Sequence, residues 1–179
     1  PVQVNYLGYP GTMGADFIDY IVADRFTIPE RHQAAYAEKV VYMPDCFQVN
    51  DAKRPPVARA PGRTEAGLPE TGIVFCSFSN SYKITPRLFD VWMRLLSKVG
   101  GSVLWLLADI PAVRSNLARE AARRGIEPSR LIFAPRLGYA EYLARYAAAD
   151  MFLDTLPFNA GATASDALWA GLPIVTCPG

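Results

Sequence analysis

The chain has 179 residues, of which 51% are hydrophobic and 20% charged, and its formal net charge is +1. This composition indicates a globular chain with enough apolar mass for one core, and it excludes the disordered and collagen-like classes. The balanced charge gives no support to nucleic-acid binding, which needs a basic stripe. No apolar run approaches the roughly 20 residues that cross a bilayer, so we expect no membrane-spanning segment.

The cysteines and the first residues of the sequence bear on its location. Cys46, Cys76 and Cys177 are odd in number and have no CxxC spacing, which favours reduced thiols. The N-terminal stretch lacks the basic region and the long apolar core of a signal peptide. We therefore expect a cytoplasmic protein that binds neither nucleic acid nor membrane.

Residues 1–50 are predicted to form a segment of their own. They contain two short apolar runs, Val2–Leu7 and Tyr20–Val22, and a helical pattern near Glu30–Lys39. His32, the only histidine in the sequence, lies at the start of that pattern, so we expect neither a Ser-His-Asp triad nor a histidine metal site. Residues 51–71 are rich in proline, alanine and charge without periodicity, which predicts an exposed loop or linker.

Residues 72–179 alternate between short apolar runs and longer amphipathic segments. The runs are predicted as strands: Ile73–Phe78, Ser102–Leu107, Leu131–Phe133, Met151–Leu153 and Ile174–Thr176. The segments between them are predicted as helices: Pro86–Lys98, Ala112–Arg124, Tyr139–Ala148 and Thr163–Ala170. One face of the first helix is predicted to hold Leu88, Val91, Trp92, Leu95 and Leu96. This alternation predicts right-handed crossovers and a Rossmann-like, doubly wound parallel sheet. Because the sequence stops after a strand-like run without a closing helix, we expect a piece of a longer protein.

In open parallel sheets, ligands bind beyond the carboxyl ends of the strands, and the loop at residues 154–166 is the most informative of these loops. Small residues from Ala160 to Ala164 leave backbone N–H groups accessible at a predicted helix start, which suits a phosphate. A simple turn with Thr163 as the helix N-cap explains the same residues equally well.

Other polar side chains near these loops also have two interpretations. Lys83 either neutralises a pyrophosphate or is an ordinary solvated lysine. Asp166 either accepts hydrogen bonds from ribose hydroxyls or only stabilises the helix N-terminus by its charge. Four side chains at helical spacings of three and four either stack on a base or form a core-facing stripe: Tyr139, Tyr142, Arg145 and Tyr146.

The sequence contains no DxD motif, the acidic pair that holds Mg²⁺ or Mn²⁺ beside a diphosphate. We therefore expect a metal-independent site without a cofactor, in which lysine and helix dipole balance the phosphate charge.

Five stretches of the sequence, in order, resemble the catalytic region of O-GlcNAc transferases: LGYPGTMGADFIDYIVAD, YAEKVVYMPDCF, FCSFSNSYKITP, SVLWLL and LDTLPFNAGATASDALWAGLPIVTCPG. These are inverting GT-B glycosyltransferases that transfer GlcNAc from UDP-GlcNAc to Ser or Thr of proteins. The resemblance covers nearly the whole chain. It implies that residues 72–179 are the C-terminal, nucleotide-sugar-binding lobe of a GT-B fold, with residues 1–50 coming from the region between the lobes.

The resemblance also implies roles for single residues. Lys83, in SYKITP, corresponds to the lysine that contacts the diphosphate and assists departure of UDP, which makes it the catalytic candidate. Tyr142 stands where the family has a histidine that stacks on uracil, Tyr139 replaces a lysine near the ribose, and Asp166 keeps the ribose-binding aspartate. The other implied donor contacts are Asn80 at the phosphate, Leu137 and Arg145 at the base, and Gly161, Ala162 and Thr163 in place of a His-Thr-Thr stretch around the phosphates. The loop that borders the sugar contains Leu7, Gly8 and Pro10.

The same resemblance implies further parts upstream of residue 1, namely histidines near the acceptor hydroxyl and tetratricopeptide repeats. It implies a protein acceptor, and a fragment that by itself binds the nucleotide sugar without turnover. The alternatives are a GDP-fucose-dependent protein fucosyltransferase of the SPINDLY branch, a GT-B enzyme that makes small-molecule or lipid glycosides, and a non-catalytic UDP-sugar-binding scaffold. GADFIDYI, SVLWLL and the retained Asp166 favour UDP-GlcNAc as the donor.

Overall fold

The structure, a computed structural model, describes residues 1–54 and 59–178. The chain divides into two compact units, Pro1–Lys53 and Arg54–Gly179. Within the described residues, no helix has both the length and the apolar character needed to cross a membrane.

The first unit contains a small parallel sheet. Its strands are β1 (Val4–Asn5), β2 (Tyr20–Ala23) and β3 (Lys39–Tyr42), and they lie in the order β1-β2-β3. Ile21, Ala23 and Ile28 form its buried core, against which Tyr36 and Val40 pack. The predicted strand-like runs are therefore present, although the first is reduced to two paired residues.

The helix predicted near Glu30–Lys39 is present only in part. Only Glu30–Ala35 is helical, as a 3-10 helix, and Lys39–Tyr42 is a strand that the sequence pattern did not reveal. Along this strand exposed and half-buried residues alternate, as in a sheet covered on one face. The β-branched Val40 and Val41, together with pairing to β2, outweigh the helical spacing of the residues before them.

The second unit is a parallel sheet flanked by helices, which confirms the predicted α/β class. Its strands are β4 (Val74–Ser77), β5 (Val103–Leu107), β6 (Leu131–Ala134), β7 (Met151–Leu153) and β8 (Ile174–Val175). Its α-helices are α1 (Pro86–Lys98), α2 (Pro111–Arg123), α3 (Tyr139–Arg145) and α4 (Ala162–Trp169). Short 3-10 helices occupy Ser81–Lys83, Pro128–Arg130 and Tyr146–Ala148.

Two apolar layers lie on opposite faces of this sheet because successive side chains of a strand point to opposite sides. Val74 and Cys76 of β4 belong to the layer that contains Tyr146, whereas Phe75 belongs to the layer that contains Trp92. All of β4 is buried, as expected for a central parallel strand covered by helices on both faces.

Helix α1 begins and ends where the sequence predicts. The Thr85 side chain caps it by accepting a hydrogen bond of 3.3 Å from the Leu88 N–H. Its buried face also includes Phe89 and Met93, whereas Val91 is 46% exposed. The face that is buried is therefore rotated about the helix axis, by part of a turn, from the face that the sequence predicts.

The order of the five strands, β6-β5-β4-β7-β8, creates a switch point between β4 and β7. After β4 the chain proceeds outward to β6 and then returns to place β7 on the other side of β4. Helix α1 packs on the layer with Phe75, whereas α4 contributes Ala167 to the opposite layer. The loops after β4 and β7 consequently diverge, and in such sheets a ligand binds in the crevice between them.

Candidate functional site

An open cavity of about 500 Å³ lies at this switch point, in the second unit. Nine of the ten residues predicted for the nucleotide-sugar site of this unit line it: Asn80, Lys83, Leu137, Tyr139, Tyr142, Arg145, Gly161, Ala162 and Thr163. Five lining residues were not predicted: Phe78, Ser79, Tyr82, Leu107 and Arg136. The structure thus brings together residues from the loops after β4, β6 and β7.

One side of the cavity carries positive charge. The Lys83 ammonium donates a hydrogen bond of 2.8 Å to the Asn159 carbonyl oxygen and lies 3.9 Å from the centre of the Phe158 ring. Arg136 donates to the Asn80 side-chain oxygen at 3.2 Å and pairs with Asp109 at 2.7 Å. That hydrogen bond from Arg136 lowers the pKa of Asp109. Lys83 is held by uncharged groups, and the charge of Arg136 is partly neutralised by one carboxylate. This side of the cavity therefore keeps positive charge and suits an anion.

Helix α4 begins on the cavity wall. Gly161 is its N-cap, and no side chain caps its first turn. The alternative in which Thr163 is a simple N-cap is therefore wrong, because Thr163 already lies inside the helix. An uncapped helix start offers backbone N–H groups and the positive end of the helix dipole to an anion.

The loop that leads into α4 is fixed by Asp154, directly after β7. One carboxylate oxygen accepts from the Thr155 and Ala160 N–H groups, each at 2.7 Å. The other accepts from the Asn159 amide at 2.8 Å and the Thr176 hydroxyl at 2.6 Å. Asp154 is buried, and a buried carboxylate with four donors holds its surroundings rigidly. The sequence pattern does not predict this role, although an aspartate directly after a buried strand is a signal that points to it.

Another part of the cavity lining is aromatic. The Arg145 guanidinium lies 4.2 Å from the Phe78 ring centre and 4.9 Å from that of Tyr142, and it donates to the Pro135 carbonyl at 2.8 Å. Arg145 is only 3% exposed, and burial lowers its pKa. The rings of Tyr139 and Tyr142 are nearly parallel, with centroids 6.2 Å apart. This wall can take a flat, partly polar group.

Two buried polar atoms on the cavity wall have no partner among the described residues, the Ser79 hydroxyl and the Arg145 Nε. Buried polar groups are ordinarily hydrogen-bonded, so each such group calls for an explanation. Both atoms are closed off from solvent, so neither is open to a ligand in the cavity unless the side chains around it move. The SFSNS stretch, rich in small polar residues after a buried strand, was the signal for Ser79.

Asp166 is the tenth of these predicted residues, and it does not line the cavity. It is buried one turn into α4, where its Oδ1 accepts from Arg54 at 2.7 Å and from the Tyr139 hydroxyl at 3.3 Å. The Arg54 guanidinium also lies 5.6 Å from the Trp169 ring centre. The sequence pattern did not predict Arg54 as a partner.

The loop predicted to border the sugar lies in the first unit and is internally constrained. Leu7 has a positive φ of 68°, a backbone conformation rare for residues with a side chain. The Tyr36 hydroxyl donates to the Pro10 carbonyl at 3.0 Å. Glu38 accepts from the Thr12 hydroxyl and the Met13 N–H, each at 2.6 Å. Burial opposes ionisation of Glu38, but these hydrogen bonds prevail and lower its pKa.

Within the described residues, no group of three or more His, Cys, Asp or Glu side chains is arranged to hold a metal ion. His32 is exposed on the 3-10 helix of the first unit.

The chain is similar in sequence to known proteins over its whole length. The profile of Glycosyl transferase family 41 matches residues 1–55 and 55–179. A probable UDP-N-acetylglucosamine–peptide N-acetylglucosaminyltransferase of Arabidopsis thaliana, SEC, is 39% identical over 99% of this chain and 19% of its own length. A probable enzyme of the same designation from Petunia hybrida, SPINDLY, is 32% identical over 100% of this chain and 19% of its own length. The chain thus spans about a fifth of the length of these curated relatives.

Solved structures give the same result for the fold. An O-GlcNAc transferase of Thermobaculum terrenum, in a lysine-to-methionine mutant, superposes with a TM-score of 0.86 at 30% identity, over 100% of this chain and 34% of that chain. Anabaena HepE in complex with UDP has a TM-score of 0.57 at 16% identity, over 89% of this chain and 45% of that chain. The second likeness concerns the fold alone, and together with the first it confirms the predicted GT-B architecture.

Proposed function

Because the chain belongs to glycosyl transferase family 41, we propose that its cavity binds the UDP part of UDP-N-acetylglucosamine, as the donor half of a protein O-GlcNAc transferase. The relatives named above are designated UDP-N-acetylglucosamine–peptide N-acetylglucosaminyltransferases, which supports this donor and a peptide acceptor. The chain spans only part of those proteins, so the acceptor and the complete activity are proposals for the whole enzyme.

The single observation that carries the proposal is the polarity of the cavity at the switch point. A lysine and an uncapped helix start meet on one side, and Tyr142 with Arg145 forms the aromatic side. A nucleoside diphosphate has the same division between an anionic diphosphate and a flat base.

In the proposed complex, Tyr142 stacks on uracil, and the backbone at Leu137 and the Arg145 side chain contact the edge of the base. Tyr139 and Asp166, which share a hydrogen bond, lie nearest the ribose. Asn80, Lys83 and residues 161–163 surround the diphosphate. The role of Leu7, Gly8 and Pro10 beside the sugar stays a prediction from the family resemblance.

In the proposed reaction, a Ser or Thr oxygen of the acceptor forms a bond to C1 of the sugar with inversion, and the bond from C1 to the UDP oxygen breaks. Negative charge develops on the departing diphosphate, where Lys83 and the start of α4 stabilise it. The acceptor hydroxyl loses its proton to a base that we expect upstream of residue 1. The proposed site needs no metal, since cation and helix dipole face the diphosphate.

We also propose that the protein works in the cytoplasm. Every cysteine lies among the described residues, and Cys46, Cys76 and Cys177 are all free thiols. Free thiols are usual in a reducing compartment, which supports this location.

The test is a calorimetric comparison of UDP and GDP binding to the 179-residue chain. We expect UDP to bind at least about tenfold more tightly, a difference of about 1.4 kcal/mol, because the base contacts at Leu137 and Arg145 are proposed to fit uracil. Tighter binding of GDP would move the protein toward a guanine nucleotide donor such as GDP-fucose. Absence of binding by either nucleotide would contradict the proposed donor site.

A further inference from the structure

Tyr146, which no proposed contact uses, is the most completely buried large side chain beside the cavity. It begins the 3-10 helix that follows α3, and it is 0% exposed. Its ring lies 5.1 Å from that of Phe78 and 5.3 Å from that of Tyr142, centroid to centroid. Packing alone would be served by phenylalanine, so the buried hydroxyl needs its own explanation.

The hydroxyl of Tyr146 is part of a directed chain of hydrogen bonds. Its oxygen lies 3.3 Å from the Thr163 carbonyl oxygen and 2.6 Å from the Tyr142 hydroxyl. A carbonyl oxygen only accepts, so Tyr146 uses its single proton there, and the Tyr142 hydroxyl must donate to Tyr146. Burial raises the pKa of both phenols, so both keep their protons at neutral pH.

The two ends of this chain belong to different elements that line the cavity. Tyr142 is on α3, on the aromatic wall, and Thr163 is in the first turn of α4, on the anion-binding wall. We propose that Tyr146 is a positioning residue that ties the base-stacking ring of Tyr142 to the phosphate-binding start of α4. This inference rests on the proposed UDP site. It adds a residue that touches no ligand but sets the geometry of both walls.

The test is the substitution Tyr146→Phe, which removes the hydroxyl and keeps the ring. We expect UDP affinity to fall about three- to tenfold, the size of one neutral hydrogen bond. Uridine affinity should fall less, because uridine uses the ring of Tyr142 but not the start of α4. A folded variant with wild-type UDP affinity, or with equal losses for UDP and uridine, would overturn the proposal. Failure of the wild-type chain to bind UDP would instead contradict the proposed function.

A second variant keeps the test valid if Tyr146→Phe does not fold. Tyr142→Phe removes the first donor but leaves the bond from Tyr146 to Thr163, so uridine and UDP should lose affinity by the same factor. Unequal losses for the two ligands would contradict the proposal. Where Tyr146→Phe does fold, the double variant should bind uridine no more weakly than Tyr146→Phe, since both changes remove one shared bond. Additive losses would contradict the proposal.

The matched control is Tyr42→Phe in the first unit. The Tyr42 hydroxyl donates to the Ile28 carbonyl at 2.8 Å and accepts from the Gln33 amide at 2.9 Å, so the control also deletes a phenolic hydroxyl that makes two hydrogen bonds. We expect a lower thermal midpoint with unchanged UDP affinity. If Tyr42→Phe weakened UDP binding as much as Tyr146→Phe, the effect would reflect stability alone, and the positioning role would be wrong.

Discussion

Lys83 shows how a single charge decides what the cavity binds. Its ammonium rests on the Asn159 carbonyl and the Phe158 ring, and no carboxylate pairs with it among the described residues. We expect Lys83→Ala to weaken UDP binding by about 1.5–3 kcal/mol, the range for a hydrogen bond to a charged group, and to leave uridine binding nearly unchanged. Calorimetry with both ligands measures this.

The control for that prediction is Lys98→Ala, since Lys98 is an exposed lysine in the last turn of α1. This variant removes the same charge, but at the end of α1 that is remote from the loop containing Lys83. It should therefore leave UDP affinity unchanged. If Lys83→Ala reduced uridine and UDP binding equally, the lysine would not be acting on the diphosphate.

Asp24, at the end of β2, provides the residue-level test of stability. Its carboxylate accepts from the N–H groups of Phe26 at 3.0 Å, Thr27 at 2.7 Å and Phe47 at 2.9 Å. Burial opposes the charged form, but these bonds prevail and lower the pKa from its model-compound value of 3.8. A carboxyl whose pKa is lower in the folded state stabilises the fold above the unfolded pKa, and this contribution is lost as pH falls through the folded pKa.

We therefore expect Asp24→Asn to reduce the free energy of unfolding at pH 7 by about 1–3 kcal/mol. The difference from wild type should shrink as the pH falls below 3.8. Urea denaturation at a series of pH values measures both, with the exposed Asp45→Asn as the control. A difference that does not change with pH would show that the charge of Asp24 is not what stabilises the turn.

At the level of elements, the sequence predicts what depends on local periodicity. Helix α4 was predicted over Thr163–Ala170 and is found over Ala162–Trp169, because small residues and the following apolar spacing fix its start. The loops after β4, β6 and β7 could be placed on one edge of the sheet, because all its strands are parallel. The grouping of nine predicted residues around one cavity follows from that placement together with the family resemblance.

The sequence does not predict contacts that depend on distant partners. The pair between Arg54 and Asp166 joins a linker without periodicity to a helix far along the chain. Strand β3 was missed because its partner β2, which decides its conformation, lies outside any local window. The sequence shows a tyrosine at this position, but the hydrogen bond from the Tyr146 hydroxyl to the Thr163 carbonyl depends on how α3 and α4 pack.

For the whole molecule, the basic and acidic residues nearly cancel, so the basic groups at the cavity stand out. Their presence there leads to a test of the proposed metal independence. Eighteen basic residues stand against seventeen acidic residues, and the cavity wall presents Lys83, Arg136 and a helix start to the ligand. Because these groups already face the proposed diphosphate, UDP should bind within about twofold as tightly in EDTA as in millimolar Mg²⁺ or Mn²⁺. Calorimetry on metal-stripped protein measures this. A tenfold loss on chelation would mean that a cation completes the site.

The position of β4 at the centre of the sheet also has a consequence for how the protein is made. Phe75 pairs with Leu104 on one side and with Met151 on the other. A ribosome therefore releases β4 and its first neighbour well before it releases the second. Until β7 emerges, the nascent chain presents an apolar strand with one open edge, the kind of surface that recruits other chains. We therefore expect the yield of correctly folded protein to depend on the time between the synthesis of β5 and that of β7.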